Sequence, residues 1–312
     1  MTVTNRRSFL QSSATAALAL AGWRHAVANA PAARMTLGFS TYGMKALQTE
    51  AAIEAIADIG YDAVELTVWP GWDCAPDNVP AARRQGIRRL LAEKSLQLTS
   101  LMEHLYPSAD DTEHAAGLQR LEQVYQLARD LAGEQPPVVQ TVLGGGDWEQ
   151  KKSLFLDRVG DWIELGQKHG IVTCIKPHRG GGMSQPSEAI WLIRQLGESP
   201  WLRMVYDYSH YAFREIDLVE SVRAALPYTA HVAVKDAVQQ DGKVRFELPG
   251  AAGTIDFVTL LKELQAGGYR GDISCEVSGM VSGQPGYEPL PAAKTCYRNL
   301  AAAFEAAGVA RA

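Results

Sequence analysis

Phe257-Val-Thr-Leu-Leu-Lys-Glu-Leu-Gln-Ala266, followed by Gly267-Gly268 and then Asp272-Ile-Ser-Cys-Glu-Val277, is the run that decides the fold. The first part is amphipathic with helical spacing, the glycines stop it, and the last part is a short apolar strand. Helix, stop and strand in so few residues make one turn of an α/β alternation. Working outward, the same alternation fills the chain. Strands are expected at Thr36–Ser40, Ala63–Thr67, Gln97–Met102, Val138–Leu143, Ile171–Lys176, Arg203–Asp207, Ala230–Lys235 and Asp272–Val277. Helical patterns lie at Ala51–Ile59, Ala81–Glu93, Glu113–Leu131, Lys152–His169, Ser187–Leu196, Leu218–Ala225, Phe257–Ala266 and Ala292–Ala306. Eight strands alternating with eight helices predict a single closed (β/α)8 barrel, a TIM barrel.

The 312 residues suit one such barrel, and no low-complexity linker interrupts residues 31–312. Hydrophobic residues at 46% and charged residues at 21% exclude disordered, collagen-like and multi-span membrane chains. With 30 basic against 35 acidic residues and no basic run beyond pairs, nothing favours nucleic acid as a partner. Cys74, Cys174, Cys275 and Cys296 lack CxxC spacing and read as small buried apolar residues.

Residues 1–30 read as an address. Arg6-Arg7-Ser-Phe9-Leu10 precedes an Ala/Leu-rich stretch from Ser12 to Gly22, and Ala28-Asn29-Ala30 supplies a small-x-small cleavage pattern. This resembles a twin-arginine export signal, which implies a mature protein starting near Pro31 in the periplasm. The apolar stretch is short of the roughly 20 residues that span a bilayer, so no membrane association of the mature form is expected.

Chemistry in such barrels sits at the C-terminal ends of the strands. Six of the eight strand ends carry ionisable groups: Glu65; Glu103-His104; Lys176-Pro-His178; Asp207 with His210; Lys235-Asp236; and Glu276. Taken singly, each reads as a loop residue or a rim ion pair; their convergence on one rim reads as a site. Strand alternation puts Val205 with Asp207 and Ser274 with Glu276 on shared faces. Trp69, Trp72 and Tyr106 follow strands two and three, where aromatic planes stack on sugar rings or pack over the barrel mouth. Gly144-Gly145-Gly146 and Gly180-Gly181-Gly182 lack a lysine or helix-opening fingerprint, so they read as flexible loops, and no nucleotide cofactor is expected. His114 and His169 read as surface residues of helices.

Val205-Tyr-Asp-Tyr-Ser-His210, Val234-Lys-Asp236, Gly250-x-x-Gly-Thr-Ile-Asp-Phe257 and Gly268-Tyr-Arg-Gly-Asp-Ile-Ser-Cys-Glu276 resemble motifs of the xylose isomerase-like sugar phosphate isomerase/epimerase superfamily. The likeness covers nearly all of residues 36–305. It implies a divalent metal held by a strand-five glutamate, the strand-six aspartate, a strand-seven histidine and the strand-eight glutamate. Asp207 and Glu276 match two ligands, but Lys176 stands at the glutamate position and Ala233 at the histidine position.

Three outcomes stay open. His178 and His210 join Asp207 and Glu276 in a displaced site for Mn, Fe, Co or Zn; or the Lys176 ammonium replaces the metal's charge; or the barrel is a binder that has lost catalysis. The resemblance implies proton abstraction beside the carbonyl of a small sugar or keto-sugar, through an enediolate. Glu276 is then the expected base, and Lys176 or a metal stabilises the oxyanion. His178, His210 and Lys235 position hydroxyls or shuttle protons, with Glu65, His104, Lys235 and Trp69 as substrate contacts. The alternatives are a keto-sugar lyase or hydratase, a Schiff-base lyase using Lys176, and a periplasmic sugar-binding barrel. A homo-oligomer is left open.

Overall fold

The structure, a computed structural model, describes residues 34–312. The expected twin-arginine signal therefore lies outside the described residues. Eight parallel strands close into a barrel: β1 (Thr36–Ser40), β2 (Ala63–Thr67), β3 (Gln97–Met102), β4 (Val138–Thr141), β5 (Thr173–Ile175), β6 (Leu202–Tyr206), β7 (Thr229–Val234) and β10 (Asp272–Cys275). β1 pairs with both β2 and β10, which closes the ring. Outside it lie α1 (Thr49–Ile59), α2 (Ala81–Glu93), α3 (Asp111–Leu131), α4 (Trp148–His169), α5 (Pro186–Gln195), α6 (Leu218–Ala225), α7 (Phe257–Ala266) and α9 (Pro289–Ala307), with a short α8 (Gly279–Ser282) at the rim.

The expected strands are all present, but β4, β5 and β10 leave the sheet earlier than their apolar runs suggest. Lys176 and Glu276 stand one residue past the last paired position. Their N–H groups still donate to Thr141 O (2.9 Å) and Val234 O (3.0 Å), so each charged side chain is fixed by the ladder it terminates. Helix starts also differ from the periodicity. α3 and α4 begin where Asp110 and Asp147 accept N–H groups of their first turns, so the caps and not the apolar stripe set the boundary. At the end of α7 the left-handed residue is Gly268 (φ 85°), whereas a Cβ at Gly267 would come within 1.9 Å of the Leu226 side chain and force it to shift.

The main core lies between strands and helices, while Cys174, Val205 and Ala233 form a separate plug inside the barrel. Strand alternation carries Cys174, Val205 and Ala233 inward, and two residues later Lys176, Asp207 and Lys235 on the same face. All four cysteines are free and buried, as expected. His114 is not the surface residue expected from its helix: it is buried, with Nε2 2.8 Å from Asp161. The two glycine runs are not independent flexible loops, because the Gly182 N–H donates to Gly144 O at 2.8 Å and packs one against the other.

One element was not expected. β8 (Asp236–Gln240) and β9 (Lys243–Glu247) form an antiparallel hairpin after β7. Its turn, Asp241-Gly242, takes positive φ at both residues (50° and 72°), the geometry that matches strand twist in a two-residue hairpin.

Candidate active site

β5, β6, β7 and β10 are consecutive around the barrel, and their ends deliver Lys176, Asp207, Lys235 and Glu276 in alternating sign. Each ammonium touches both carboxylates. Lys176 Nζ lies 2.8 Å from Asp207 Oδ2 and 2.6 Å from Glu276 Oε2; Lys235 Nζ lies 2.5 Å from Asp207 Oδ2 and 2.7 Å from Glu276 Oε1. All four residues are buried, and the quartet has zero net charge. Desolvating four charges is costly, and only close contact of opposite signs offsets it. Burial alone would raise the two carboxyls, but Lys176 and Lys235 outweigh it and hold both well below the usual range. Burial would likewise depress Lys176, yet Asp207 and Glu276 hold it above its ordinary value as a firm ammonium.

Above this floor opens a cleft of about 100 Å³, lined by Lys176, Glu276, His104, His178, Tyr42, Trp69, Gln140 and Phe246 among others. Burial first, then Lys176 and Lys235, lower the His178 imidazole to about 4. Burial lowers His104 to about 4 as well. Both rings are neutral near neutral pH. The His178 ring makes no hydrogen bond among the described residues and lies 4.3 Å from that of His210. His104 stacks on Trp69 at 3.5 Å and shares a 3.2 Å contact with the Tyr106 hydroxyl.

Several expected residues sit elsewhere than the sequence suggested. Lys235, expected to position hydroxyls, belongs to the buried quartet and also lines the cleft. Its neighbour Asp236 is turned away and accepts from the N–H groups of Ala252, Gly253 and Ile255 and from the Thr254 hydroxyl, which explains the Gly-x-x-Gly-Thr-Ile motif as a loop anchor. Glu65 does not line the cleft. It is buried beneath the floor, accepting from the Gln140 amide and standing 3.1 Å from His231 Nε2. It therefore orients Gln140, which does face the cleft. Glu103 closes a similar support, 2.8 Å from Arg120.

Tyr42, Gln140 and Phe246 are cleft residues that the strand-end reading missed. Phe246 sits on β9 with its ring 5.0 Å from Lys235 Nζ and 5.0 Å from the His210 ring. The signal that would have found it is Asp241-Gly242 between Val238 and the alternating Val244 and Phe246.

Asp207, His210 and Glu276 place one candidate metal-ligand atom each within 4.8 Å of one another. His178, the other histidine of the expected set, is not in that group, although its ring lies 4.3 Å from that of His210. Nor does the donor chemistry of the remaining three fit a divalent ion. A cation would need the carboxylate oxygens at about 2.0–2.6 Å, where two ammonium groups already take them. His210 Nδ1 accepts the Arg179 N–H at 3.3 Å. Burial and Lys235 keep the ring neutral, so its proton belongs on Nε2, the nitrogen 3.4 Å from Asp207. A metal at that nitrogen would have to displace the proton.

A closed eight-stranded barrel with charged strand ends on one rim defines a class, and the sequence places the chain within it: residues 53–301 match the xylose isomerase-like TIM barrel family, to which the chain belongs. Among curated relatives, a Mus musculus protein named "Putative hydroxypyruvate isomerase" is 30% identical over 72% of this chain and 82% of its own. Among solved structures, L-ribulose 3-epimerase superposes with a TM-score of 0.68 at 19% identity, covering 88% of this chain and 96% of that one. A Mycobacterium smegmatis protein of the same barrel type, described in complex with magnesium, gives 0.66 at 15% identity, covering 88% and 98%. At those identities the structural likeness speaks to the fold.

Proposed function

We propose that this protein is a keto-sugar isomerase or epimerase that works by enediolate chemistry, with a pair of lysine ammonium groups supplying the positive charge that a divalent ion would otherwise bring. The observation that carries this reading is the alternating quartet at the cleft floor. It presents Lys176 as a permanent cation to a small cleft flanked by neutral imidazoles. The names of the mouse relative and of the epimerase neighbour support isomerase chemistry on a small sugar substrate.

In this reading a substrate carbonyl oxygen takes a hydrogen bond from Lys176. His178 removes the proton from the adjacent carbon, the C–H electron pair forms the enediolate double bond, and the carbonyl π pair moves to oxygen as the oxyanion. In an isomerisation the proton returns from His178 to the former carbonyl carbon while the neighbouring hydroxyl proton passes to the oxyanion, leaving the new carbonyl; in an epimerisation a water proton reaches the opposite face of the original carbon, the oxyanion re-forms the carbonyl, and His178 releases its proton to the hydroxide left behind. Glu276, the expected base, is doubly ion-paired, and both lysines depress its basicity. His178 is a better candidate, since negative charge developing beside it raises its proton affinity during the step. Lys176 is poorly suited to a Schiff base, because an ammonium held by two carboxylates has no free electron pair.

The test is proton exchange. In D2O, NMR should detect deuterium entering the carbon beside the carbonyl of D-fructose, D-psicose or hydroxypyruvate. Lys176→Met should slow this by ~10²–10³-fold, the effect of removing one oxyanion donor, and His178→Asn by ~10²–10⁴-fold. Binding of these sugars without any exchange would overturn the enzyme reading in favour of a sugar-binding barrel.

A further inference from the structure

The small cleft is not the whole cavity. Tyr42 and Trp69, which line it, also line a groove of about 690 Å³ that opens outward from the barrel mouth. Ligand sites that enclose a small organic molecule run to about 300–1,000 Å³, so the inner cleft by itself holds the reacting end of a ligand and little more. The groove is built from the loops that follow β1, β2 and β10. Its aromatic wall is Tyr42 and Trp69, backed by the buried Trp72, with ring centroids 5.2–5.8 Å apart.

This wall is held in place. Trp69 is backed by His104 at 3.5 Å, and the Tyr287 hydroxyl on the facing side donates to Gly43 O at 2.7 Å. The rim is polar: Lys45 lies 5.3 Å over Trp72, and Gln284 stands opposite. A pyranose ring has the matching chemistry, with an apolar C–H face to lie on aromatic carbon and a margin of hydroxyls to meet polar side chains.

We infer that the substrate is a keto-sugar carrying a second sugar, a glycoside, whose reacting ring enters the inner cleft while the other ring rests on the Tyr42/Trp69 wall. This deepens the keto-sugar reading and rests on it. A three-carbon acid would leave the groove empty.

The experiment compares affinities by calorimetry for two pairs of probes. One is D-fructose against its glucosylated forms with a free carbonyl (turanose, palatinose, leucrose). The other is 3-keto-D-glucose against 3-keto-maltose. In at least one pair the two-ring sugar should bind roughly ten-fold tighter or better. Ala46→Trp, which fills the groove from its outer lip, should bring that ratio close to one, with the thermal midpoint measured to establish that the variant is folded. Equal affinities within both pairs, or a preference that survives Ala46→Trp, would overturn the glycoside inference. If deuterium exchange on the single-ring sugars persists in that case, the keto-sugar reading stands without it. Failure of every sugar to bind would overturn both.

Discussion

Lys176→Met removes one ammonium from the quartet while keeping most of the stem's volume. In the wild type, two carboxylates share two lysines at 2.5–2.8 Å, all buried. In the variant, Lys235 alone faces Asp207 and Glu276, and the cluster carries one uncompensated negative charge. Breaking a buried ion pair by deleting one partner costs about 3–5 kcal/mol, a large share of a total stability of about 5–15 kcal/mol. Urea unfolding near pH 7 should register a loss of that order. The pH dependence has a definite sign. With Lys176 gone, one carboxyl is raised on folding instead of lowered, so the folded state takes up a proton and the penalty shrinks as the pH is brought down towards about 5. Lys176→Met combined with Glu276→Gln restores the charge balance and should recover most of the loss. A single variant as stable as wild type near pH 7, or a penalty that the second substitution leaves unchanged, would show that the four charges do not depend on one another.

Because His178 is lowered to about 4, kcat/KM for deuterium exchange should be flat from about pH 6 to 8 and fall only near pH 4; a decline centred near 6.5 would remove His178 as the base. Glu65→Gln leaves buried His231 without its counter-charge and should cost about 1–3 kcal/mol. His231 is raised on folding, against the burial that opposes it, so this contribution is complete below its unfolded value and fades as pH rises through the folded one. The Glu65→Gln loss in urea unfolding should therefore be greater near pH 6 than near pH 9. Replacing Arg6 and Arg7 by lysine should retain the protein in the cytoplasm, as read by fractionation and immunoblot; unchanged export would rule out the twin-arginine route.

The barrel was legible because its signal is repeated: each apolar strand and each helical stripe carries its own periodicity, and eight repeats leave little room for another topology. The strand ends were legible for the same reason, since parity fixes which of two neighbouring residues faces inward. Lys235 illustrates the limit. Parity places it inward, but its long stem lets the ammonium reach the outer water or the carboxylates, and only the packed structure chooses. Glu65 illustrates another, because depth inside a barrel depends on how strands are staggered, which a single strand's sequence does not encode. The hairpin escaped notice because its strands are short and partly polar, although Asp241-Gly242 marks its turn.

If Lys176 and Lys235 stand in for a metal's charge, the protein has no use for a divalent ion at the cleft floor. The direct measurement is a calorimetric titration of Mn²⁺ or Co²⁺ into protein purified without chelator, with its metal content determined beforehand. The wild type should hold no tightly bound equivalent, and Lys176→Glu/Ala233→His, which adds two ligand groups and removes a cation, should gain affinity. One tightly held divalent ion per chain in the wild type, lost on Asp207→Asn, would contradict that charge replacement.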